Sequence, residues 1–389
     1  MRLNLPEASQ DALHASRALQ AHIADEIRRH AGWISFARYM ELALYTPGLG
    51  YYSGGAAKIG KDGDFTTAPE MTPLFGQTLA HVAAAFMSQC SVQIMEFGAG
   101  TGKLAFDILT ELRASDVPLD HYYIVDLSGE LRGRQQEKLK DFKQVVWLDE
   151  LPESFSGVVI GNEVLDAMPV QLIAKSEQGW MERGVRLTGD AAQPFGFADQ
   201  AAASALIAEI PHAEELPIGY VTEVHVATNA FVETLARMLK AGYGNEGQGG
   251  AAILVDYGFP AAEYYLSQRS MGTLMCHYRH HVHDDPFYLP GLQDITAHVN
   301  FTAVARSAIH AGLDVLAYAS QAAFLLRAGI GDLLMRTPVE NQPAYLPQAN
   351  AMQKLVSPAE MGELFKVIVL GSDVHLPDVL SACDRSERL

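Results

Sequence analysis

Apolar residues at Leu13, Leu19, Ile23 and Ile27 recur at roughly helical spacing, and Gly32 follows as a stop. That spacing predicts a helix over residues 11–30. A second helix is predicted over 35–44, capped by Ser35 and ended by the Thr46-Pro47-Gly48 turn. A glycine-rich stretch covers 48–69, and a third helix is expected over about 73–89. The pattern then changes. Residues 92–97 read as a strand and 103–113 as a helix with Leu104, Ile108, Leu109 and Leu112 on one side. Residues 122–125 read as a strand, 131–142 as a helix, and 145–147 and 157–160 as further strands. Strands and helices alternating at this spacing predict βαβ units and a parallel sheet. The alternation breaks after Val170, and up to about Val221 the chain suggests an inserted subdomain or an antiparallel hairpin. A helix over 222–240 and a buried strand over 252–255 follow, then a His-rich loop at 276–283. Residues 300–304, 315–317 and 366–370 are candidate later strands.

Composition narrows the function classes. The chain has 389 residues, 49% of them hydrophobic, so a sizeable core is available. The formal charge of −18 argues against a protein that embraces a phosphate backbone, because such binding is driven by clustered positive charge. It argues equally against an anionic membrane surface. Cys90, Cys276 and Cys383 lie far apart and form no CxxC pair, which favours a reducing compartment. No apolar stretch follows a basic start, and no run approaches the length of a transmembrane helix. The expectation is a cytoplasmic protein with no nucleic acid partner and no membrane insertion.

The sharpest local signal is Glu96-Phe97-Gly98-Ala99-Gly100-Thr101-Gly102, set between a predicted strand and a predicted helix. Glycines there let the backbone approach a ligand closely, and the helix N–H groups face the turn. A dinucleotide fingerprint would need glycine at 103, where this chain has Lys103. An ordinary glycine-rich turn is the plainer alternative. The E-x-G-x-G-x-G pattern resembles motif I of class I S-adenosylmethionine-dependent methyltransferases. That resemblance implies a cofactor held around Gly98, Gly100 and Gly102, with Glu96 near the methionine amino group. Asp126 ends the second strand, where an acid can accept from both ribose hydroxyls. Asp149, after the third strand, is a weaker candidate for the adenine amino group.

Residues 158–169 place Glu163 and Asp166 just past the fourth strand. In an open α/β sheet ligands bind beyond the carboxyl ends of the strands. The i,i+3 spacing puts both acids on one side if the loop turns helically. Paired carboxylates can hold a guanidinium, which has five N–H donors and stays protonated. The position resembles that of the two-acid loop of protein arginine methyltransferases, although the sequences differ.

Longer stretches carry a closer resemblance: residues 34–52, Lys58-Ile59-Gly60, residues 63–70, 161–170, Val255-Asp256-Tyr257-Gly258, 272–277 and 285–301. Together they resemble the MidA-like family of methyltransferases, over roughly residues 30–310. Its mitochondrial members are complex I assembly factors that methylate an arginine. The resemblance implies an α/β fold: a class I, Rossmann-like methyltransferase sheet with an N-terminal helical cap and an inserted subdomain. On that reading residues 1–90 are the cap and lid loop. Residues 91–389 are the methyltransferase domain, with the insert at about 171–221. S-adenosyl-L-methionine is the implied methyl donor and S-adenosyl-L-homocysteine the product. The implied partner is a protein with an exposed arginine, such as a complex I subunit. A small-molecule O- or N-methyltransferase, or an assembly factor that binds the cofactor and acts by docking, are the alternatives. Residues 63–70 then read as a lid, with Phe65 and Thr66 as cofactor contacts. The His-rich stretch gives no clean tetrahedral set, so no metal is assigned. A role in proton handling falls to His281.

Overall fold

The computed structural model describes residues 5–54 and 67–389. The chain divides into two compact units. The first comprises Met1–Phe65, Asp166–Asn229 and Ala261–Asn300, and the second Thr66–Leu165, Ala230–Pro260 and Phe301–Leu389.

The second unit is built on strands β1 (Gln93–Phe97), β2 (His121–Val125), β3 (Val145–Leu148), β4 (Gly157–Asn162), β5 (Gly250–Phe259), β6 (Asp314–Ser320) and β7 (Phe365–Ser372). Their order across the sheet is β6-β7-β5-β4-β1-β2-β3. The pairs from β3 to β5 are parallel, and β7 runs antiparallel to both β5 and β6. Strands covered on both faces read as continuous apolar runs rather than alternating ones. That explains why Val158, Val159 and Ile160 are all buried in β4, and residues 251–255 in β5. Helices α1 (Pro73–Met87) and α2 (Lys103–Ala114) add Phe75, Phe86, Ile108 and Leu112 to this core. After β1 the chain works outward through β2 and β3, then returns to β1's other side with β4. The gap between β1 and β4 is therefore the topological switch point, where open α/β sheets bind ligands.

The first unit holds helices Gln10–Arg29 and Phe36–Tyr45 and a sheet of five strands. Strands Gln171–Ser176, Gly179–Leu187, Phe195–Ala201 and Val221–Val224 pair antiparallel there, with Ile34–Ser35 on Gly179–Leu187. Leu19, Ile23, Phe36, Tyr39, Val185 and Ile295 share its core. Among the described residues no helix is long and apolar enough to cross a membrane.

Three expectations change. Residues 222–224, read as the start of the helix over 222–240, belong to the strand Val221–Val224, and the helix runs over Val226–Glu246. The His-rich stretch is a hairpin, not a loop: Met275–Tyr278 pairs with His281–His283 through a two-residue turn. Arg279 and His280 both have positive φ, +47° and +62°, as a primed hairpin turn demands. Cys276 and Tyr278 are buried, and this period of two is masked in sequence by the polar neighbours. Residues 301–304, read as strand, open the helix Phe301–His310. Phe301, Val304, Ala305 and Ala308, at i, i+3, i+4 and i+7, are among its buried residues, a helical stripe that a five-residue window cannot reveal.

Candidate active site

The turn after β1 explains its own composition. Gly98, Gly100 and Gly102 have φ of +64°, +54° and +76°, all in the left-handed region that side chains resist. The Gly98 N–H donates to the Val125 carbonyl at 2.9 Å, which ties the turn to the end of β2. Gly102 caps α2 without a side-chain hydrogen bond, and the helix's first amides face the turn. Such helix amides favour an electron-rich ligand group there. Glu70, from the end of the glycine-rich segment, accepts a hydrogen bond from the Thr101 hydroxyl. Phe65 and Thr66, expected as cofactor contacts, lie outside the described residues.

Glu96 sits in β1 with 2% of its surface exposed. Its Oε2 accepts from the Tyr122 hydroxyl at 2.7 Å. Burial pushes its carboxyl up to about 8, the Tyr122 bond opposes that rise, and the neighbouring Asp126 charge adds to it. A buried acid held in this range is poised to ionise when a cation arrives.

Asp126 follows β2. The Ser128 N–H donates to its Oδ1 at 2.9 Å and Gln135 Nε2 donates to its Oδ2 at 2.8 Å. Burial raises its carboxyl, opposed by hydrogen bonds from Ser128, Gln135 and Gly100. Gln135 belongs to helix α3 (Gly129–Lys138) and is fully buried. No sequence signal pointed to it. Asp149 lies at the other extreme, exposed and ion-paired with Arg132.

The loop after β4 departs from the helical turn expected of it. Glu163 leaves the strand at φ +53°, in the left-handed region, so the i,i+3 geometry of a helix is not formed. Its N–H donates to the Val255 carbonyl at 2.9 Å, and Asn162 Nδ2 donates to its Oε1 at 3.1 Å. Asp256, within β5, is fully buried and accepts from the Leu165 and Tyr257 amides, each at 2.9 Å. It clamps the loop on which Glu163 sits. Asp256→Asn exchanges one acceptor oxygen for a donor and loosens that clamp. The expected result is a fall in kcat of about tenfold with S-adenosylhomocysteine affinity unchanged, read from steady-state kinetics and calorimetry. In the first unit, Asp166 is buried and its carbonyl accepts from the Ala297 amide at 3.0 Å. The Tyr45 hydroxyl donates to the Ala167 carbonyl at 2.8 Å, and Tyr52 donates to both oxygens of buried Asp294. His281 is exposed on its hairpin, its Nδ1 2.7 Å from the Arg279 carbonyl.

Comparison with known proteins adds the following. The family model "Putative S-adenosyl-L-methionine-dependent methyltransferase" matches residues 75–319. A superfamily member from Burkholderia thailandensis, solved bound to S-adenosyl-homocysteine, is 52% identical, with 99% of this chain and 100% of that one covered and a TM-score of 0.91. "Protein arginine methyltransferase NDUFAF7, mitochondrial" of Danio rerio is 27% identical over 90% of this chain and 86% of the relative. Its human counterpart is 26% identical, over 88% and 81%.

Proposed function

From a chain that belongs to the family of S-adenosyl-L-methionine-dependent methyltransferases, we propose that the methyl acceptor is an arginine on a protein. One observation carries this reading. Relatives named protein arginine methyltransferase align with this chain over nearly its whole length. By the resemblance drawn from sequence, a complex I type subunit stands first among candidate partners.

The residues present fit the cofactor. The amides at the start of α2 suit an electron-rich group, Glu96 suits the methionine ammonium, and Asp126 suits the ribose hydroxyls. Adenine recognition by Asp149 would require exchange of its ion pair with Arg132. When bound, the cofactor supplies an electrophilic methyl group on a sulfonium.

The protein's share is then alignment. Transfer is an in-line displacement, and holding the nucleophile in line supplies a large share of the acceleration available. A guanidinium is protonated at neutral pH and spreads its charge over three nitrogens. Glu163, just past the end of β4, is the acid that engages its outer N–H groups. That draws positive charge toward the carboxylate and frees electron density on the attacking nitrogen. The proton released afterwards leaves to solvent.

Tritiated S-adenosylmethionine incubated with the enzyme and a lysate from a strain lacking it tests the acceptor class. The expected result is label in a polypeptide that yields methylarginine on hydrolysis. Label confined to the small-molecule fraction overturns the reading.

A further inference from the structure

Gln135 has no place in the chemistry above, yet it is fully buried and every polar function of its side chain is used. Nε2 donates to Asp126 Oδ2 at 2.8 Å and to the Gly100 carbonyl at 3.0 Å. Its Oε1 accepts from the Trp147 indole N–H at 3.0 Å. The amide orientation is determined. A flipped amide would set its oxygen against a carboxylate and a carbonyl, and its NH₂ against the indole N–H. One side chain thus joins the glycine turn after β1, the acid after β2 and the aromatic ring in β3.

Helix α3 has the sequence GELRGRQQEK, and Gln135 is its one buried residue. Hydrophobic packing therefore does not explain the glutamine. A Cβ on Gly102 would stand 3.3 Å from Gln135 Cγ, so turn and glutamine are in direct packing contact. Binding the Gly100 carbonyl fixes the orientation of the planar Gly100–Thr101 peptide. Binding Asp126 fixes its carboxylate plane. An ionised carboxylate offers about four lone-pair sites. The Ser128 amide takes one on Oδ1, Gln135 one on Oδ2 and the Gly100 amide a third, so the carboxylate keeps capacity for a sugar hydroxyl.

We propose that Gln135 is a positioning residue for the cofactor, holding Asp126 and the Gly100 peptide so that the carboxylate meets the ribose. The proposal rests on Asp126 as the ribose acceptor. It predicts that ribose discrimination, rather than affinity in general, is what Gln135 controls.

The test compares binding of S-adenosylhomocysteine with that of its 2′,3′-dideoxy analogue by calorimetry, on the full chain. Wild type should prefer the ribose ligand by about 10- to 100-fold, the value of hydrogen bonds to a charged group. Asp126→Ala should abolish the preference. Gln135→Leu keeps the volume and removes the donors. It should cut the preference to within about threefold while changing affinity for the dideoxy ligand little. Gln135→Glu supplies the conservative control. At pH 8 it sets a second carboxylate against Asp126 and should behave as Gln135→Leu. Near pH 5.5 the protonated glutamic acid can donate again, and part of the preference should return. A Gln135→Leu protein that melts earlier yet keeps the wild-type preference overturns the proposal and leaves a structural anchor for α3. If Gln135→Leu does not fold, Gln135→Glu decides, because absence of the pH-dependent recovery overturns it equally. A wild type without ribose preference fails one step earlier, at Asp126 itself, and takes the proposal with it.

Discussion

Glu163→Gln is expected to lower methyl transfer by about 10²–10³-fold while S-adenosylhomocysteine affinity stays within about twofold. Glu163 stands at the carboxyl end of β4, beside the switch point at β1, and its N–H is fixed on the Val255 carbonyl. A residue with a side chain held at φ +53° costs about 1–2 kcal/mol relative to a right-handed backbone. A sequence that needed only a turn there would use glycine. Glutamine keeps the shape, the backbone conformation and an oxygen for the Asn162 amide, and loses only the charge. Folding should therefore be unaffected, and the melting temperature reports this. The loss of rate corresponds to about 2.7–4.1 kcal/mol of transition-state stabilisation. A guanidinium acceptor needs that charge to draw its positive end away from the attacking nitrogen, whereas a neutral acceptor would tolerate the amide. Turnover by Glu163→Gln close to wild type would remove the carboxylate from the mechanism. Glu163→Asp, with the charge withdrawn by one methylene, should fall between the two.

The parts of the fold legible in sequence are those whose burial is apolar. Strands β1, β4 and β5 announce themselves because a strand covered on both faces has no reason to alternate. The glycine turn is legible for a different reason: three left-handed residues in five positions admit little besides glycine. Gln135 could not be found this way. It is the sole buried residue of a helix with no apolar face, so periodicity carries no trace of it. Asp256 was visible as part of a motif, but its work on the Leu165 amide depends on the register of β5 against β4, which local pattern does not encode. The hairpin at 275–283 was missed because its turn uses Arg279 and His280, not the asparagine and glycine that usually mark such turns.

Between pH 6 and 8 the affinity for S-adenosylhomocysteine should climb by up to about tenfold per unit, level off above pH 8, and fall once the ligand amine loses its proton. The rising limb belongs to Glu96. Burial holds its carboxyl at about 8 in the free protein, so at neutral pH it is mostly the uncharged acid. A ligand ammonium placed against it favours the ionised form, and binding must expel a proton. Calorimetry in buffers of different ionisation enthalpy reads that proton directly. The falling limb belongs to the ligand, whose free amino acid amine, beside an ionised carboxylate, loses its charge above the range of a peptide's terminal amine. Stability of the free protein runs the other way. A carboxyl whose pKa is raised on folding contributes stability that is fully present below its unfolded value of about 4.3, and that contribution is lost as pH rises through about 8. The melting temperature without ligand should therefore drop across this window, while the increment given by S-adenosylhomocysteine grows. Glu96→Gln separates the two effects from everything else. It should melt with a shallower fall in this range than wild type, bind weakly, and bind equally weakly at pH 6 and 8. Tyr122→Phe removes the one hydrogen bond that opposes the rise, so its affinity should level off at higher pH than in wild type. Wild-type affinity that is flat between pH 6 and 8 would detach Glu96 from the ligand's amino group and leave it a buried partner of Tyr122 alone.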